Sequence, residues 1–181
     1  RTASQPTRVV FAAPLLPLPR ELYAHGVGVT TVRFGRVTDR TRVVVLDHVT
    51  SPTATRFPVE GLRARLPKRC LLLVDGAHAP GALPLDVGAI GAEFYAANLH
   101  KWVMAPKGSA FLRVRPDMAE GVHPCVISHR FGEGFEKEFD WQGTRDLAAW
   151  SVSGEAIDWL GRFGWENVRA HNRARLCALT F

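Results

Sequence analysis

Three short apolar runs that end in polar residues constrain the fold of this chain more than any other feature. They are RVVVLDHV (42–49), CLLLVDGAH (70–78) and EFYAANLH (93–100). Short, continuously apolar runs are typical of strands buried on both faces of a parallel sheet. A helix that begins at Pro58 and stops at Pro67, and a short helical piece DVGAIGA, separate the three runs. This alternation predicts an α/β domain with a mostly parallel sheet flanked by helices.

A fourth strand, GSAFLRVR (108–115), is expected to run in the opposite direction. Only KWVMAPK separates it from the third run, which is too short for a parallel crossover. The earlier segment GVGVTTVRF also has strand character. Residues 116–146 are expected to be loop, followed by one helix from Asp146 to about Phe163 and another after Gly164.

The composition excludes several classes of protein. The net charge is +6, but the arginines are scattered and form no continuous basic stripe, so no nucleic-acid partner is expected. No apolar run reaches the roughly 18 residues of a membrane span, so no membrane partner is expected. The cysteines are odd in number and show no CxxC spacing, which favours a cytoplasmic protein without disulfides or structural zinc: Cys70, Cys125 and Cys177. The first of these opens an apolar run and is expected to be a buried thiol.

Polar side chains follow each of the three predicted strands. In an open α/β sheet, ligands bind at the carboxyl ends of the parallel strands. Acids, histidines, an amide and a lysine therefore converge on one edge of the sheet: Asp47, His48, Asp75, His78, Asn98, His100 and Lys101. Such a convergence predicts a functional site.

Lys101 is the focal residue of this set. It follows a buried strand and precedes an apolar turn, so partial desolvation is expected to favour its neutral amine, which can attack a carbonyl. Asp75 could place a carboxylate against a cationic ring nitrogen and keep a pyridine ring protonated as an electron sink. Taken singly, the lysine could pair structurally with an acid, and the aspartate could cap a helix.

Three segments carry a specific family resemblance: DHVTSPTATRFPVE, LLLVDGAHAPG and FYAANLHKWVMAPKGSAFL. They resemble the class V aminotransferase family of fold-type I pyridoxal-phosphate enzymes, and most closely its isopenicillin N epimerase-like branch, near the cysteine desulfurases. The later EFDWQGTRD also resembles that branch. The resemblance runs from about residue 40 to 150, and HKW-x3-PKG is its most specific element.

The resemblance implies where the chain lies in that fold. Residues 1–181 would be the central part of the large pyridoxal-phosphate-binding domain, without the family's N-terminal segment and C-terminal small domain. Residues 146–181 would be helices that lead toward that C-terminal domain.

The resemblance also implies roles for individual residues. Lys101 would hold pyridoxal 5'-phosphate as a Schiff base and shuttle protons at the substrate, with His78 as the second catalytic residue. Asp75 would pair with the pyridinium nitrogen, and His78 and Ser51 would lie near the ring hydroxyl. The desulfurases often have Gln and Asn at those last two positions.

Phosphate binding is implied for two further pairs of residues. Asn98 and His100 would bind the phosphate, although the desulfurases usually have Ser where Asn98 stands. Gly143 and Thr144 match a pair that reaches the phosphate of the neighbouring subunit, which implies a homodimer with a shared site. Arg145 beside them could help to bind an anion.

Several functions remain open at this stage. The leading one is an epimerase-like pyridoxal-phosphate enzyme acting on an amino-acid-type substrate. The alternatives are a carbon–sulfur lyase or cysteine desulfurase-like enzyme, a non-catalytic truncated remnant of the fold, and a metal hydrolase; no metal is expected in the leading interpretation. The hydrolase would use the strand-end acids and histidines: Asp47, His48, Asp75, His78 and His100.

Other residues have plainer interpretations. Lys107 is expected to be a turn or surface lysine. Four histidines have no partner spacing and are expected in surface or core roles: His25, His123, His129 and His171. Trp102, Trp141 and Trp150 are expected to pack, with Trp141 near the Gly-Thr pair.

Overall fold

A computed structural model of the chain describes residues 41–178. The strand predicted at GVGVTTVRF and the histidine at position 25 lie outside these residues. The described part contains a four-stranded sheet with the order β1-β2-β3-β4. The strands span Val43–Asp47 (β1), Leu71–Asp75 (β2), Phe94–Asn98 (β3) and Ala110–Val114 (β4).

The directions of the strands confirm the prediction. β1 pairs with β2 and β2 with β3 in parallel, whereas β3 and β4 are antiparallel. The short KWVMAPK connection enforces the reversal, because a parallel crossover needs a dozen or more residues. The fold is therefore α/β with a mixed, mostly parallel sheet.

One face of the sheet carries the hydrophobic core. Leu46, Val74 and Tyr95 lie at the same level of three neighbouring strands and are 4%, 0% and 0% exposed. Phe57 and Val59 from the β1–β2 connection pack against this face. The residues that point to the other face, such as Leu73, are only half-buried. The prediction that both faces are buried was thus wrong within the described residues, since the packed connections cover only one face.

The connection between β1 and β2 departs from the predicted helix. Helix α1 spans only Leu62–Arg65. The N–H of Phe57 donates a hydrogen bond to His48 O (2.9 Å), which keeps Phe57 out of a helix. Gly61 has φ of 74°, outside the right-handed helical region. Burial of Phe57 and Val59 therefore overrides the helical pattern that begins at Pro58.

The remaining helices follow β2 and β4. They span Val87–Ile90 (α2), Phe135–Asp140 (α3), Ala148–Ser151 (α4), Ser153–Gly161 (α5) and Trp165–Ala178 (α6), with a 3-10 helix at Pro116–Gly121. The 3-10 helix and α3 lie in the region that was predicted to be loop. The single helix predicted from Asp146 is divided at Val152, where ψ is 7°. Within residues 41–178, no helix has the length and apolar character needed to cross a membrane.

A buried carboxylate joins the sheet to its flanking segments. Glu93, only 2% exposed, precedes β3 and accepts a hydrogen bond from Leu72 N in β2 (2.7 Å). It also forms ion pairs with Arg63 of α1 and Arg115 after β4. Cys70 is fully buried, as predicted, and its thiol donates to Thr41 O.

Candidate active site

Two carboxylates meet at the carboxyl ends of the first two strands. Asp47 and Asp75 are register partners in β1 and β2, and Asp75 is also level with Ala96 in β3. Desolvation raises the pKa of Asp47, the negative charge of Asp75 raises it further, and His78 opposes both effects. The edge of the sheet therefore concentrates negative charge at the position where the sequence placed a site.

A tight turn carries the chain from Asp75 to His78. Asp75 Oδ1 accepts a hydrogen bond from Ala77 N (2.9 Å), and Ala79 N donates to Gly76 O (2.9 Å). A Cβ atom at Gly76 would lie 2.2 Å from the ring of Tyr95, so the turn can pass over this ring only because residue 76 is glycine. The turn fixes both the carboxylate and the imidazole that follows it.

The lysine lies in the loop between β3 and β4. Leu99 N donates to Ser109 O and Ala105 N donates to Leu99 O, which closes the loop at its base. Met104 N donates to Lys101 O (3.2 Å). The two bonds at the base and this turn fix the backbone of Lys101.

A second glycine lets the lysine loop meet the turn after Asp75. A Cβ atom at Gly81, whose φ is 80°, would lie 2.7 Å from the backbone oxygen of Trp102. The backbones of the two loops therefore pack directly on each other, which places the lysine beside His78.

The central contact of the site joins Lys101 to His78. Lys101 Nζ lies 2.9 Å from His78 Nε2, and Trp102 Nε1 donates to His78 Nδ1 at 3.4 Å. Desolvation and the nearby cation of Lys101 lower the pKa of His78, although Asp75 and Asp47 oppose this change. A neutral imidazole therefore faces the lysine nitrogen at neutral pH.

One of the two pairs expected to bind phosphate lies close to Lys101 in the chain. Asn98 is the last residue of β3, and His100 Nδ1 donates to Ser109 O (3.2 Å), because a carbonyl oxygen can only accept. This bond orients the imidazole and leaves Nε2 as the atom available to a ligand. Donation from Nε2 to a phosphate requires the doubly protonated ring.

Four predicted residues are not joined to the cluster by hydrogen bonds among residues 41–178. Ser51 is exposed in the turn after β1, and Gly143 has φ of 102° in the loop before α4. Thr144 is exposed, and Arg145 donates to Gln142 Oε1 (3.1 Å). Their roles toward a cofactor stay predictions.

His48 points away from this edge of the sheet, into the core. Its ring is fully buried, and its Nδ1 lies 2.9 Å from the hydroxyl of Tyr95. Desolvation lowers the pKa of His48. The negative charge of Glu60 raises this pKa, and the positive charge of Arg56 lowers it further. In the part of the chain that the structure describes, no group of three or more His, Cys, Asp or Glu side chains could hold a metal ion. The metal-hydrolase alternative therefore finds no support there.

Sequence reasoning gave two residues of this cluster no role in the leading interpretation. Asp47 entered only the metal-hydrolase alternative, although the matching runs VVVLD and LLLVD, if paired in parallel, place the two aspartates side by side. Trp102 was expected to pack, but it is 38% exposed and hydrogen-bonds to His78. No spacing signal in the sequence indicates that hydrogen bond.

The residues with plainer interpretations lie mostly at the surface. Lys107 is exposed, as predicted, and so are His129 and His171. His123 is exposed too, but it has a partner that its spacing did not indicate: its Nδ1 lies 2.7 Å from Oε2 of the buried Glu138.

Comparisons with known proteins identify the family of this chain. The family model for aminotransferase class V matches residues 28–179. The L-cysteine desulfhydrase of Arabidopsis thaliana is 37% identical over 148 residues, which cover 76% of this chain and 32% of that protein. The isopenicillin N epimerase of Streptomyces clavuligerus is 33% identical over 171 residues, covering 84% of this chain and 43% of that protein.

A solved structure extends the likeness to the fold. A cystine carbon–sulfur lyase in complex with its product cysteine persulfide matches with a TM-score of 0.60 and 26% identity, over 69% of this chain and 37% of that chain. The chain spans 30 to 32% of the length of the plant desulfhydrases that it matches. The family and the fold expected from the sequence are both confirmed. The chain belongs to the class V aminotransferase family of pyridoxal-phosphate enzymes.

Proposed function

We propose that the protein is a pyridoxal-phosphate-dependent enzyme that acts on an amino-acid substrate and uses Lys101 as its reacting amine. The observation that carries the proposal is the 2.9 Å contact between Lys101 Nζ and His78 Nε2, beside the carboxylates of Asp47 and Asp75. An amine that faces a neutral imidazole near two acids can form a covalent bond with an aldehyde and then accept or donate a proton.

The donor set of the site fits this cofactor. Lys101 supplies an amine for the aldehyde. Asp75 supplies a carboxylate for the pyridinium nitrogen, and its Oδ1 accepts a hydrogen bond from Ala77 N that orients this carboxylate. Asn98 and His100 would hold the phosphate, and His78 and Ser51 would lie near the ring hydroxyl. These side chains match the functional groups of the cofactor in number and kind.

Three residues of this chain have proposed roles in the reaction. When bound, the cofactor supplies an electron sink for the negative charge left at the substrate's Cα after proton loss. Lys101 then moves the proton at Cα, and the imidazole of His78 orients the lysine nitrogen. Asp75, held by Ala77 N, supplies the negative charge that keeps a ring nitrogen protonated.

Two reaction classes are separated by their products. Identity of 36 to 40% to four plant desulfhydrases supports carbon–sulfur elimination from cysteine. Identity of 33 to 34% to two isopenicillin N epimerases supports epimerisation at Cα. L-Cysteine and water should give sulfide, pyruvate and ammonia in the first case, and a peptide substrate should invert at Cα without fragmentation in the second.

A single titration tests the proposal against the alternative of a non-catalytic remnant. Pyridoxal phosphate added to the full chain should produce a near-ultraviolet or visible absorbance band that borohydride removes. Lys101→Ala should abolish the band, whereas Lys107→Ala, an exposed lysine of the same loop, should keep it. A band that survives in Lys101→Ala overturns the assignment of the lysine, and the absence of a band in the unmutated protein favours the remnant.

We also propose a homodimer in which Gly143 and Thr144 of one subunit reach the phosphate site of the other. The exposure of Thr144 and the left-handed backbone of Gly143 support it, because an exposed turn is accessible to a second subunit. Thr144→Val should weaken retention of pyridoxal phosphate. A monomer by light scattering in the presence of cofactor would exclude the shared site.

A further inference from the structure

His48 is a buried titratable residue that the proposed reaction does not use. Its side chain is fully buried, and its Nε2 makes no hydrogen bond within residues 41–178, although Oε1 of Glu60 is 3.5 Å away. A buried polar atom without a hydrogen-bond partner lowers the stability of a protein. Packing of the core alone therefore does not explain a histidine at this position.

The other ring nitrogen of His48 holds the hydroxyl of Tyr95. His48 Nδ1 lies 2.9 Å from this hydroxyl oxygen, and the two rings meet edge to face with their centroids 6.0 Å apart. A hydroxyl can donate or accept, so the hydrogen bond forms with either neutral tautomer of the imidazole. The Tyr95 ring also stacks on Phe111, with the ring centroids 6.2 Å apart. Tyr95 is thus fixed both at its hydroxyl and along its ring face.

The hydroxyl end of Tyr95 lies against the turn that carries His78. A Cβ atom at Gly76 would overlap with Cε1, Cζ and the hydroxyl oxygen of Tyr95, so the backbone of the turn and this end of the ring are in direct contact. Gly76 N also donates to Ala96 O (2.7 Å), which joins the start of the turn to β3, the strand of Tyr95. The turn is therefore supported from the core by the hydroxyl end of one side chain.

The position of this turn decides how His78 meets the lysine. Lys101 Nζ lies 2.9 Å from His78 Nε2. Desolvation and the charge of Lys101 lower the pKa of His78, and the charges of Asp75 and Asp47 oppose this change. Without support from the core, the turn would hold the imidazole less firmly, so the contact with the lysine would be populated less and the ring would be more hydrated. Both changes would raise the pKa of His78.

We infer that His48 and Tyr95 are positioning residues, whose hydrogen bond supports the turn of residues 76–79 from the core and so holds His78 against Lys101. Within residues 41–178, neither positioning residue hydrogen-bonds to His78 or Lys101, so both act through the turn. The inference rests on the proposed function only in taking Lys101 as the reacting amine.

Tyr95→Phe tests this inference directly, because it removes one oxygen atom and keeps the ring. In the cofactor-free full chain, an NMR titration of the His78 imidazole, assigned by its loss in His78→Gln, should show the pKa raised toward its ordinary value of 6.5. Capture of pyridoxal phosphate by Lys101, trapped with borohydride, should slow about fivefold, because a neutral hydrogen bond contributes about that factor to an equilibrium. Ile90→Val, which removes one methyl group from the same core, should lower stability without changing either measurement.

Two variants of His48 separate its hydrogen bond from the bulk of its ring. His48→Leu removes the bond and should reproduce the effects of Tyr95→Phe. His48→Asn keeps a polar group near the position of Nδ1 and should restore most of the capture rate. When combined, His48→Leu and Tyr95→Phe should change the pKa of His78 no more than either substitution alone, since both remove the same bond.

The outcomes distinguish this inference from the proposed function. An unchanged pKa of His78 in Tyr95→Phe overturns the inference, as does an equal change in Ile90→Val, which would indicate a general effect of weaker core packing. In either case, a borohydride-trapped adduct on Lys101 of the unmutated protein leaves the proposed function standing. If no adduct forms on Lys101, the proposed function fails, while the pKa of His78 still decides whether the hydrogen bond supports the turn.

Discussion

Asp47 and Asp75 lie directly opposite each other at the ends of two parallel strands, so that two carboxylates share one edge of the sheet. Only Asp75 starts the tight turn that leads to His78, and its carboxylate takes a hydrogen bond from Ala77 N. The two acids therefore differ in their surroundings: Asp75 is held by the turn to His78, and Asp47 adds electrostatic repulsion beside it.

Asp47→Asn should stabilise the protein at neutral pH without loss of cofactor. Desolvation and Asp75 raise the pKa of Asp47 above its ordinary value of 3.8. The folded state thus binds this proton more tightly than the unfolded state. The free energy of unfolding therefore falls as pH rises through the window between 3.8 and the raised pKa of Asp47. The variant should be more stable by about 0.5 kcal/mol above the window, and the gain should vanish below pH 3.8.

Urea unfolding over a pH series measures this effect, with Asp75→Asn as the matched variant. Both substitutions remove the repulsion between the carboxylates, but only Asp75→Asn should also weaken cofactor binding. A gain in Asp47→Asn that persists at acid pH would contradict an electrostatic origin.

Gly76→Ala should both destabilise the protein and impair the site. Its Cβ would meet the Tyr95 ring at 2.2 Å, and the ring is fully buried, so the turn that carries His78 must shift. Overpacking of this kind costs about 2 kcal/mol, and capture of cofactor by Lys101 should slow as the contact with His78 is lost.

Gly121→Ala is the control for that substitution, since nothing lies within 4 Å of its Cβ position. It should change the free energy of unfolding by less than about 0.5 kcal/mol. Equal effects of the two substitutions in chemical denaturation would show that the Tyr95 contact does not set the turn.

Glu93→Ala should cost about 3 kcal/mol of stability while leaving the chemistry of Lys101 intact. The carboxylate is buried, accepts from Leu72 N and pairs with Arg63 and Arg115, so its loss leaves the buried Leu72 N–H and Arg63 without their carboxylate partner, while Arg115 keeps its pair with Asp117. Denaturant titration measures the loss. Glu133→Ala, which breaks the exposed pair with Lys137, should cost less than about 0.5 kcal/mol, and a similar cost for both would refute the role of Glu93.

Much of the fold was predictable because its signals are local. The apolar runs located β1, β2 and β3, and the short connection after Lys101 required an antiparallel β4. The helix predicted from Pro58 is shorter in the structure. The burial of Phe57 and Val59 is a tertiary effect, which local periodicity does not reveal. The division of the later helix at Val152 likewise leaves no clear trace in the apolar spacing.

The site was predictable as a set of strand-end residues but not as a network. Topology brings Asp75, His78 and Lys101 to one edge of the sheet, which strand order alone predicts. The contact of Trp102 with His78 depends on the close approach of two loops at Gly81, which no spacing encodes.

We propose that Lys101, and no other lysine of this chain, is the reacting amine. The most direct measurement is peptide mass mapping of the full chain after incubation with pyridoxal phosphate and reduction with borohydride. We expect the reduced cofactor on Lys101 in nearly all modified molecules, and its loss in Lys101→Ala but not in Lys107→Ala. Modification spread over Lys68, Lys107 and Lys137 at the same level as Lys101 would contradict it.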